Sequence, residues 1–275
     1  MEFLNLLIGT VLLRPYVFVF LAIYLTLAVW HLGAKRAVLF TVIAYGIAFL
    51  SEYSSTRNGF PYGYYSYIDT TRGQELWIAN VPFMDSLSYS FLTYVAYTMA
   101  LFLWAPLKRN GWDIRFGDTS KVRHSMKVVL SGAILFMLMD VVIDPIAFRG
   151  DRWFLGKIYT YQEEGEYFNI PLTNFGGWMI TGAAILFTFT RVNRWLERRP
   201  GFRDAGQREV PYQALLGPAL YFGVLLFNLA VTFYIGEMML GLCGTVLTLA
   251  VLAVLVARVR RPGWFPVKRS PVIGE

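Results

Sequence analysis

The stretch Met126-Lys-Val-Val-Leu-Ser-Gly-Ala-Ile-Leu-Phe-Met-Leu-Met-Asp-Val-Val-Ile143 decides the fold class of this chain. As a helix it is long enough to cross about 30 Å of hydrocarbon. Its one acidic residue, Asp140, has two apolar residues on each side. An ionised carboxylate is costly in such a span, so it usually faces a cavity or a partner and serves a function.

Long apolar blocks of this kind recur along the whole chain. The 275 residues are 56% hydrophobic and 16% charged, whereas soluble domains carry about 25% charged residues. We therefore predict an all-α fold, a polytopic membrane helix bundle that forms a single domain over residues 1–275. The seven predicted transmembrane helices are Tyr16–Leu32, Val38–Glu52, Met84–Ala105, Met126–Ile143, Gly177–Val192, Ala214–Tyr234 and Met238–Ala257. Phe3–Leu13 is either an interfacial helix or an extension of the first span, because Pro15 follows it.

The basic residues predict the orientation of these spans. Nineteen of the 25 Lys and Arg residues lie in segments on one side of the predicted helices, and six lie on the other side. Because basic loops stay cytoplasmic, we expect an inner-membrane protein with its N-terminus outside and its C-terminus in the cytoplasm. The same distribution explains the net charge of +7 without a nucleic acid partner. The two long outer loops, residues 53–83 and 147–176, form either a lid over the bundle or an interfacial aromatic belt.

Five acidic residues lie in or at the ends of spans on that outer side: Glu52, Asp85, Asp140, Asp144 and Glu237. Asp140 and Asp144 are four residues apart and therefore share a helix face. Asn174 precedes the fifth span at the same depth. Alternative roles stay open, since Asp85 or Asn174 could cap a helix, Glu237 could simply be solvated, and Glu52 could pair with Arg57.

Other kinds of site have little support in the sequence. The single cysteine, Cys243, cannot form an internal disulfide, and His31 and His124 lack metal-ligand spacing. No phosphate-binding or dinucleotide motif is present. We therefore expect chemistry without a nucleotide, flavin or metal. A carboxyl group in apolar surroundings keeps its proton more readily than in water, and aromatic faces can stabilise a cation, so acid-initiated chemistry on a lipid is the simplest enzymatic interpretation.

Three blocks of sequence carry a family resemblance. They are Asn58-Gly-Phe-Pro-Tyr-Gly-Tyr-Tyr-Ser-Tyr67 after Glu52, then Asp140-Val-Val-Ile-Asp-Pro145, then Tyr167-Phe-Asn-Ile-Pro-Leu-Thr-Asn-Phe-Gly-Gly-Trp178. In this order the blocks resemble the carotenoid biosynthesis protein family, whose members include carotenoid 1',2'-hydratases and bisanhydrobacterioruberin hydratases. The resemblance implies an enzyme that adds water to a terminal double bond of an acyclic carotenoid and needs no redox cofactor. Its partners would be the carotenoid, water, membrane lipid and other carotenoid enzymes.

The resemblance implies that Glu52, Asp140, Asp144 and Asn174 occupy family motif positions, but it does not assign their roles. The roles given next belong to our own hypothesis of a hydratase. Asp140 or Asp144 would protonate the alkene, and Glu52, Asn174 or the second Asp would hold the attacking water. Asp85 completes the expected catalytic set. The residues expected to line the substrate or its cation are Tyr64, Tyr67, Trp153, Tyr167, Trp178 and Glu237.

Two departures from the family pattern put the substrate in question, namely Asn169 in place of glycine and the polar Asp85-Ser86 pair after Val81-Pro82. The closest rival is a lycopene-type cyclase, which shares the protonation step, although its typical Pro-Glu-x-x-Glu motif is absent. A proton-coupled transporter is the rival from another class, and the sequence shows no internal repeat of the kind that transporters often carry. A structural scaffold would leave the clustered carboxylates unexplained.

Overall fold

The computed structural model describes residues 2–199, 210–260 and 265–266. Within them the chain forms eight α-helices: α1 Glu2–Leu13, α2 Pro15–Leu32, α3 Ala34–Asn58, α4 Phe83–Trp104, α5 Met126–Ala147, α6 Leu172–Leu196, α7 Gln213–Tyr234 and α8 Met238–Arg260. The seven helices from α2 to α8 are long and apolar enough to cross a membrane. The predicted polytopic helix bundle is therefore confirmed. Arg203, Arg208, Arg261, Lys268 and Arg269, which entered the prediction of orientation, lie outside the described residues.

Several helices extend beyond the predicted spans, and the extensions carry polar residues. Helix α3 continues past Glu52, and α6 begins before Asn174. Helix α5 passes through Pro145, although proline removes one backbone hydrogen bond. Two backbone carbonyl groups in the last turn of α5 still accept hydrogen bonds. The backbone amide of Phe148 donates to the Asp144 carbonyl oxygen, and the Trp153 indole donates to the Ile146 carbonyl oxygen. Helix α1 is separate from α2, with Pro15 at the first turn of α2.

Helix α4 forms the centre of the bundle. It packs against α2, α3, α5 and α7, and every residue from 89 to 102 is buried. Its neighbours α5 and α6 approach each other closely at glycines. A Cβ atom on Gly132 would lie 2.5 Å from Leu186, and one on Gly182 would lie 2.6 Å from Phe136. Small residues at such contacts are typical of helix packing in membranes, and here they fix α5 and α6, the two helices that carry Asp140, Asp144 and Asn174.

Seven short strands lie between the helices or after α8: β1 Tyr65–Tyr67, β2 Trp77–Ile78, β3 Val81–Pro82, β4 Leu107–Asn110, β5 Asp113–Phe116, β6 Tyr159–Tyr161 and β7 Phe265–Pro266. Strands β4, β5 and β7 form a sheet at the end of the bundle where α4 ends and α5 begins. The other strands belong to the two long loops at the opposite end. We call these two loops, residues 59–82 and 148–171, the lid.

The lid is held together by an antiparallel pairing of β1 with β6. Tyr65 is opposite Tyr161, and Tyr67 is opposite Tyr159. Because side chains alternate across a strand, all four tyrosines lie on one face of the pair, and Ser66 and Thr160 point to the exposed face. The two loops thus form a single cover over one end of the helices.

Candidate active site

A polar cavity of about 340 Å³ lies between the tyrosine face of the lid and the ends of α3, α4, α5 and α6. The lid contributes Tyr62 and the four tyrosines of β1 and β6. The helices contribute the remaining lining side chains, which are Glu52, Asp85, Tyr89, Asp144, Asn174 and Trp178. Three of the five acidic residues noted in the sequence therefore line one cavity.

Asp144 has the densest hydrogen bonding of these carboxylates. The Tyr159 hydroxyl donates to its Oδ1, while the Tyr161 hydroxyl and the Asn174 amide donate to its Oδ2 at 2.8 and 3.0 Å. Hydrogen bonds donated to a carboxylate stabilise its ionised form. The three donors come from a strand and a neighbouring helix, so the lid and α6 together position Asp144.

Asp140 lies one turn deeper on α5 and is fully buried. The same Asn174 nitrogen that contacts Asp144 donates to Asp140 Oδ2 at 2.8 Å. The other oxygen, Oδ1, has no hydrogen-bond partner among the described residues. Asp140 lines neither this cavity nor the apolar cavity described below. The burial of this carboxyl group behind Asp144 is the physical reason.

Glu52 and Asp85 belong to a second pair of helices, α3 and α4. Ser86 donates a hydrogen bond to buried Glu52, and the Tyr67 hydroxyl donates to Asp85 Oδ2 at 2.5 Å. Arg57 instead contacts Asn80 and stacks on Tyr53, so pairing of Glu52 with Arg57 does not occur in this structure.

The helix-capping alternatives for Asp85 and Asn174 are also not observed. Each lies in the first turn of its helix, but the residues that precede α4 and α6 are Pro82 and Pro171, with no side-chain cap. The side chain of Asp85 accepts a hydrogen bond from Tyr67 of the lid, and that of Asn174 donates to the aspartates of α5. Both side chains therefore serve the cavity.

The four lid tyrosines remain neutral donors. Burial, and next the nearby Asp144 carboxylate, raise the pKa of Tyr159 and of Tyr161 well above the ordinary value. Burial also raises the pKa of Tyr65 and Tyr67, with Glu52 and Asp85 respectively as the largest charge effects. Their hydroxyl groups can therefore donate hydrogen bonds to carboxylates across the neutral pH range.

A larger cavity of about 690 Å³ adjoins the polar one and is mostly apolar. Its walls come from α2, α4, α5, α6, α7 and the second loop of the lid. Most of its lining side chains are apolar or aromatic, including Val17, Phe20, Met84, Phe91, Leu92, Ile143, Trp153, Leu155, Ile158 and Val224. Four residues line both cavities: Asp85, Asp144, Tyr159 and Trp178. The acidic groups thus lie at the boundary between an apolar space and a polar one.

Trp178 is fixed at this boundary by other aromatic rings. Its ring stacks on Tyr89 with 4.6 Å between centroids, and Phe136 lies at the same distance in a tilted arrangement. The adjacent Gly177 lets the lid approach, since a Cβ there would lie 2.7 Å from the Pro61 carbonyl oxygen. The Trp178 ring is therefore held at the boundary between the two cavities, which Asp85 and Asp144 also line.

The structure places three predicted binding residues outside both cavities. Glu237 lies in the turn between α7 and α8 and forms ion pairs with Arg149, at 3.1 Å, and Arg152. Partial burial acts to raise the pKa of Glu237, but the two arginines outweigh it and hold the pKa below its ordinary value. Tyr64 is half exposed, and Tyr167 packs against Phe168 and Phe175.

Sequence reasoning missed several residues that line the polar cavity, namely Tyr62, Tyr65, Tyr89, Tyr159 and Tyr161, and it missed Ser86 beside Glu52. A signal for three of them, Tyr65, Tyr159 and Tyr161, was present, because Tyr-Ser-Tyr and Tyr-Thr-Tyr occur once in each long loop. Such alternation is typical of short strands with one buried face. Within the described ranges, no three His, Cys, Asp or Glu side chains are arranged so that they could hold a metal ion.

The sequence model of the family described as carotenoid biosynthesis protein matches residues 7–255. A bisanhydrobacterioruberin hydratase from Haloarcula japonica is 29% identical over 164 residues, which cover 59% of this chain and 47% of that protein. The chain thus matches about half the length of this curated relative. No solved structure matches the chain significantly. Because the family match extends over most of its length, the chain belongs to the carotenoid biosynthesis protein family.

Proposed function

We propose that this protein is a hydratase that adds water to the terminal double bond of an acyclic carotenoid end group. The observation that carries the proposal is the junction of an apolar cavity with a polar one at Asp85 and Asp144. A hydratase needs an apolar site for the alkene, a polar site for water, and acidic groups between them. The name of the Haloarcula japonica relative, a hydratase, supports the same reaction class.

Asp85 is the proposed acid. It lines both cavities, remains partly exposed, and accepts a hydrogen bond only at Oδ2. The second oxygen, Oδ1, has no hydrogen-bond partner in the described part of the chain and is free to carry a proton to the alkene. Proton transfer to the less substituted carbon breaks the π bond and leaves the positive charge on the tertiary carbon. The face of Trp178 then lies next to that cation.

Asp144 is the proposed base. Its three hydrogen-bond donors favour the ionised carboxylate, and it lines the polar cavity in which water would lie. The oxygen of a water molecule forms the new bond to the tertiary carbon, and Asp144 takes the proton that this water loses. The product is a tertiary alcohol. A proton then returns from Asp144 to Asp85 through the polar cavity that both residues line.

Asp140, Asn174 and Glu52 have supporting roles in this proposal. Asn174 holds Asp144 and Asp140 through one nitrogen, so Asp140 fixes the orientation of the amide that positions the base. An ionised Asp140 would leave a buried oxygen without a partner, which is costly. We therefore assign a neutral Asp140 as a positioning residue. Glu52 lines the polar cavity beside Asp85 and orders water there.

The polar cavity favours hydration over cyclisation. A cyclase quenches the same cation with an internal double bond, and water near the cation would compete with that step. Here the carboxylates adjoin a cavity lined by six tyrosines and by Asn174, whose polar groups bind water well. The arrangement therefore supplies the nucleophile that a hydratase requires.

Expression in a bacterium that accumulates an acyclic carotenoid such as lycopene tests the proposed reaction. The expected pigment is heavier than the precursor by the mass of one water for each hydrated end. An empty vector and the Asp144→Asn variant serve as controls. A new pigment of unchanged mass would identify a cyclase or isomerase, and unchanged pigment in cells that contain the folded protein would argue against a carotenoid enzyme.

We further propose that the lid lies on the outer side of the cytoplasmic membrane, with the C-terminus in the cytoplasm. This proposal rests on the distribution of Lys and Arg, because most of those in the described residues lie in segments at the end of the bundle opposite the lid. A fluorescent reporter that folds only in the cytoplasm should be active at the C-terminus. If only a periplasmic reporter is active there, the orientation is reversed and the acidic site lies at the cytoplasmic face.

A further inference from the structure

The apolar cavity is closed on one side by the seam between α2 and α7. Tyr16 and Phe20 of α2 line the cavity together with Val224 of α7. The ring of Phe227 stacks on Tyr16 with 5.3 Å between centroids and packs edge-on against Phe20 at 5.7 Å. Tyr16, Phe20 and Phe227 are each half-buried. Two of these rings thus line the cavity and all three are partly exposed, and Tyr16 and Phe227 also contact Trp153 of the lid.

The contacts between α2 and α7 at this seam are apolar. Across the described residues, no hydrogen bond or ion pair joins α2 to α7. Ring contacts and aliphatic packing alone hold the two helices together at this level. In a bilayer such contacts are replaced at little cost, because lipid tails are as apolar as the side chains that they would displace. Separating α2 from α7 at this level would therefore break no hydrogen bond or ion pair between them.

The lid, in contrast, is held closed by hydrogen bonds. The β1–β6 ladder joins its two loops, and Tyr67, Tyr159 and Tyr161 bond to carboxylates below it. Arg14 adds a buried link, since it donates to the Leu155 carbonyl at 2.5 Å and pairs with buried Glu75 at 3.4 Å. Opening the lid would break many buried polar contacts at once.

We propose that the carotenoid enters the site sideways from the bilayer between α2 and α7, with Tyr16, Phe20 and Phe227 as a gate, while the lid stays closed. The identity of the substrate rests on the proposed function, whereas the route is inferred from the contacts between α2 and α7. A long polyene has its lowest free energy in hydrocarbon, and passage over the lid would expose it to water.

Two reversible cross-links can test the route in one protein background. The only cysteine, Cys243, is exposed and is first replaced by Ser. The gate variant carries Phe20→Cys and Phe227→Cys. The matched lid variant carries Ser66→Cys and Thr160→Cys, which are opposite each other in the β1–β6 pair and point away from the cavity. A short bis-methanethiosulfonate reagent closes each pair, and a reductant reopens it.

The gate cross-link should lower both lycopene uptake from liposomes and conversion by at least about tenfold, as expected for a gate that controls access. The lid cross-link should leave both within about twofold, because lid opening is not required on this route. Each cross-linked protein is compared with itself after reduction, so effects of the substitutions cancel. Mass spectrometry of the intact protein measures how completely each pair is bridged.

Unimpaired uptake in the fully cross-linked gate variant would overturn the proposal, and so would loss of uptake in the cross-linked lid variant. Uptake is measured as carotenoid absorbance that elutes with the protein, so it does not depend on the chemistry of the product. If uptake follows the gate but no hydrated carotenoid forms, the proposed function fails and the route stands. If hydrated product forms regardless of the gate, the route fails and the function stands.

Discussion

The Asp144→Asn variant should convert its carotenoid at least about 100-fold more slowly than the unmodified protein, the lower end of the effect of general acid–base catalysis. An amide at this position cannot take the proton that the attacking water must lose. It would also present an N–H group to the donors Tyr159, Tyr161 and Asn174, all of which now donate to the carboxylate. The initial rate with purified protein in detergent is the measurement.

The control for this variant is Glu237→Gln. Glu237 is also acidic and lies at the same end of the bundle, but it pairs with arginines outside both cavities. Its replacement should change the rate by less than about threefold, since partly exposed ion pairs contribute little. Circular dichroism should show the same helix content in both variants. A near-normal rate for Asp144→Asn would remove this residue from the mechanism.

Asp85→Asn is the second substitution expected to have a large effect, again at least about 100-fold on turnover. The proposed reaction begins with a proton from Asp85, and the amide cannot supply one. Carotenoid uptake should be retained, because the apolar cavity keeps its shape and most of its lining. The expected result is therefore a loss of turnover without a loss of binding.

The Asp140→Asn variant distinguishes this account from an acid on α5. Asp140 lines neither cavity and contacts Asn174, so its replacement should reduce turnover less than either of the two substitutions above. A nearly inactive Asp140→Asn variant together with an active Asp85→Asn variant would move the proton donor to the α5 pair. The hydratase proposal could survive that result, but the assignment of the acid would not.

The number and order of the spanning helices could be predicted from the sequence, because long apolar blocks leave few alternatives in a membrane. Helix ends were predicted less well, as at Asn174 and Asp144. Both lie inside helices whose terminal turns are polar or contain proline. Hydropathy marks where a helix lies in hydrocarbon, whereas the end of a helix depends on backbone hydrogen bonds and tertiary contacts.

The candidate site could be predicted in part. A buried carboxylate on an apolar helix is costly wherever it lies, so Asp140 and Asp144 stood out. The separation of their roles could not be predicted, because it depends on which carboxyl group reaches a cavity and how many donors each receives. The pairing of β1 with β6 joins residues that are almost a hundred positions apart, and no local pattern specifies such a partner.

The most direct test of the central claim is conversion of an acyclic carotenoid by the purified protein in water labelled with oxygen-18. If the protein is a hydratase, each new hydroxyl group carries the label, and the product exceeds the substrate by the mass of one labelled water for each hydrated end. An unlabelled hydroxyl group would show that its oxygen came from elsewhere, and a product of unchanged mass would show that no water was added. Either result would contradict the account.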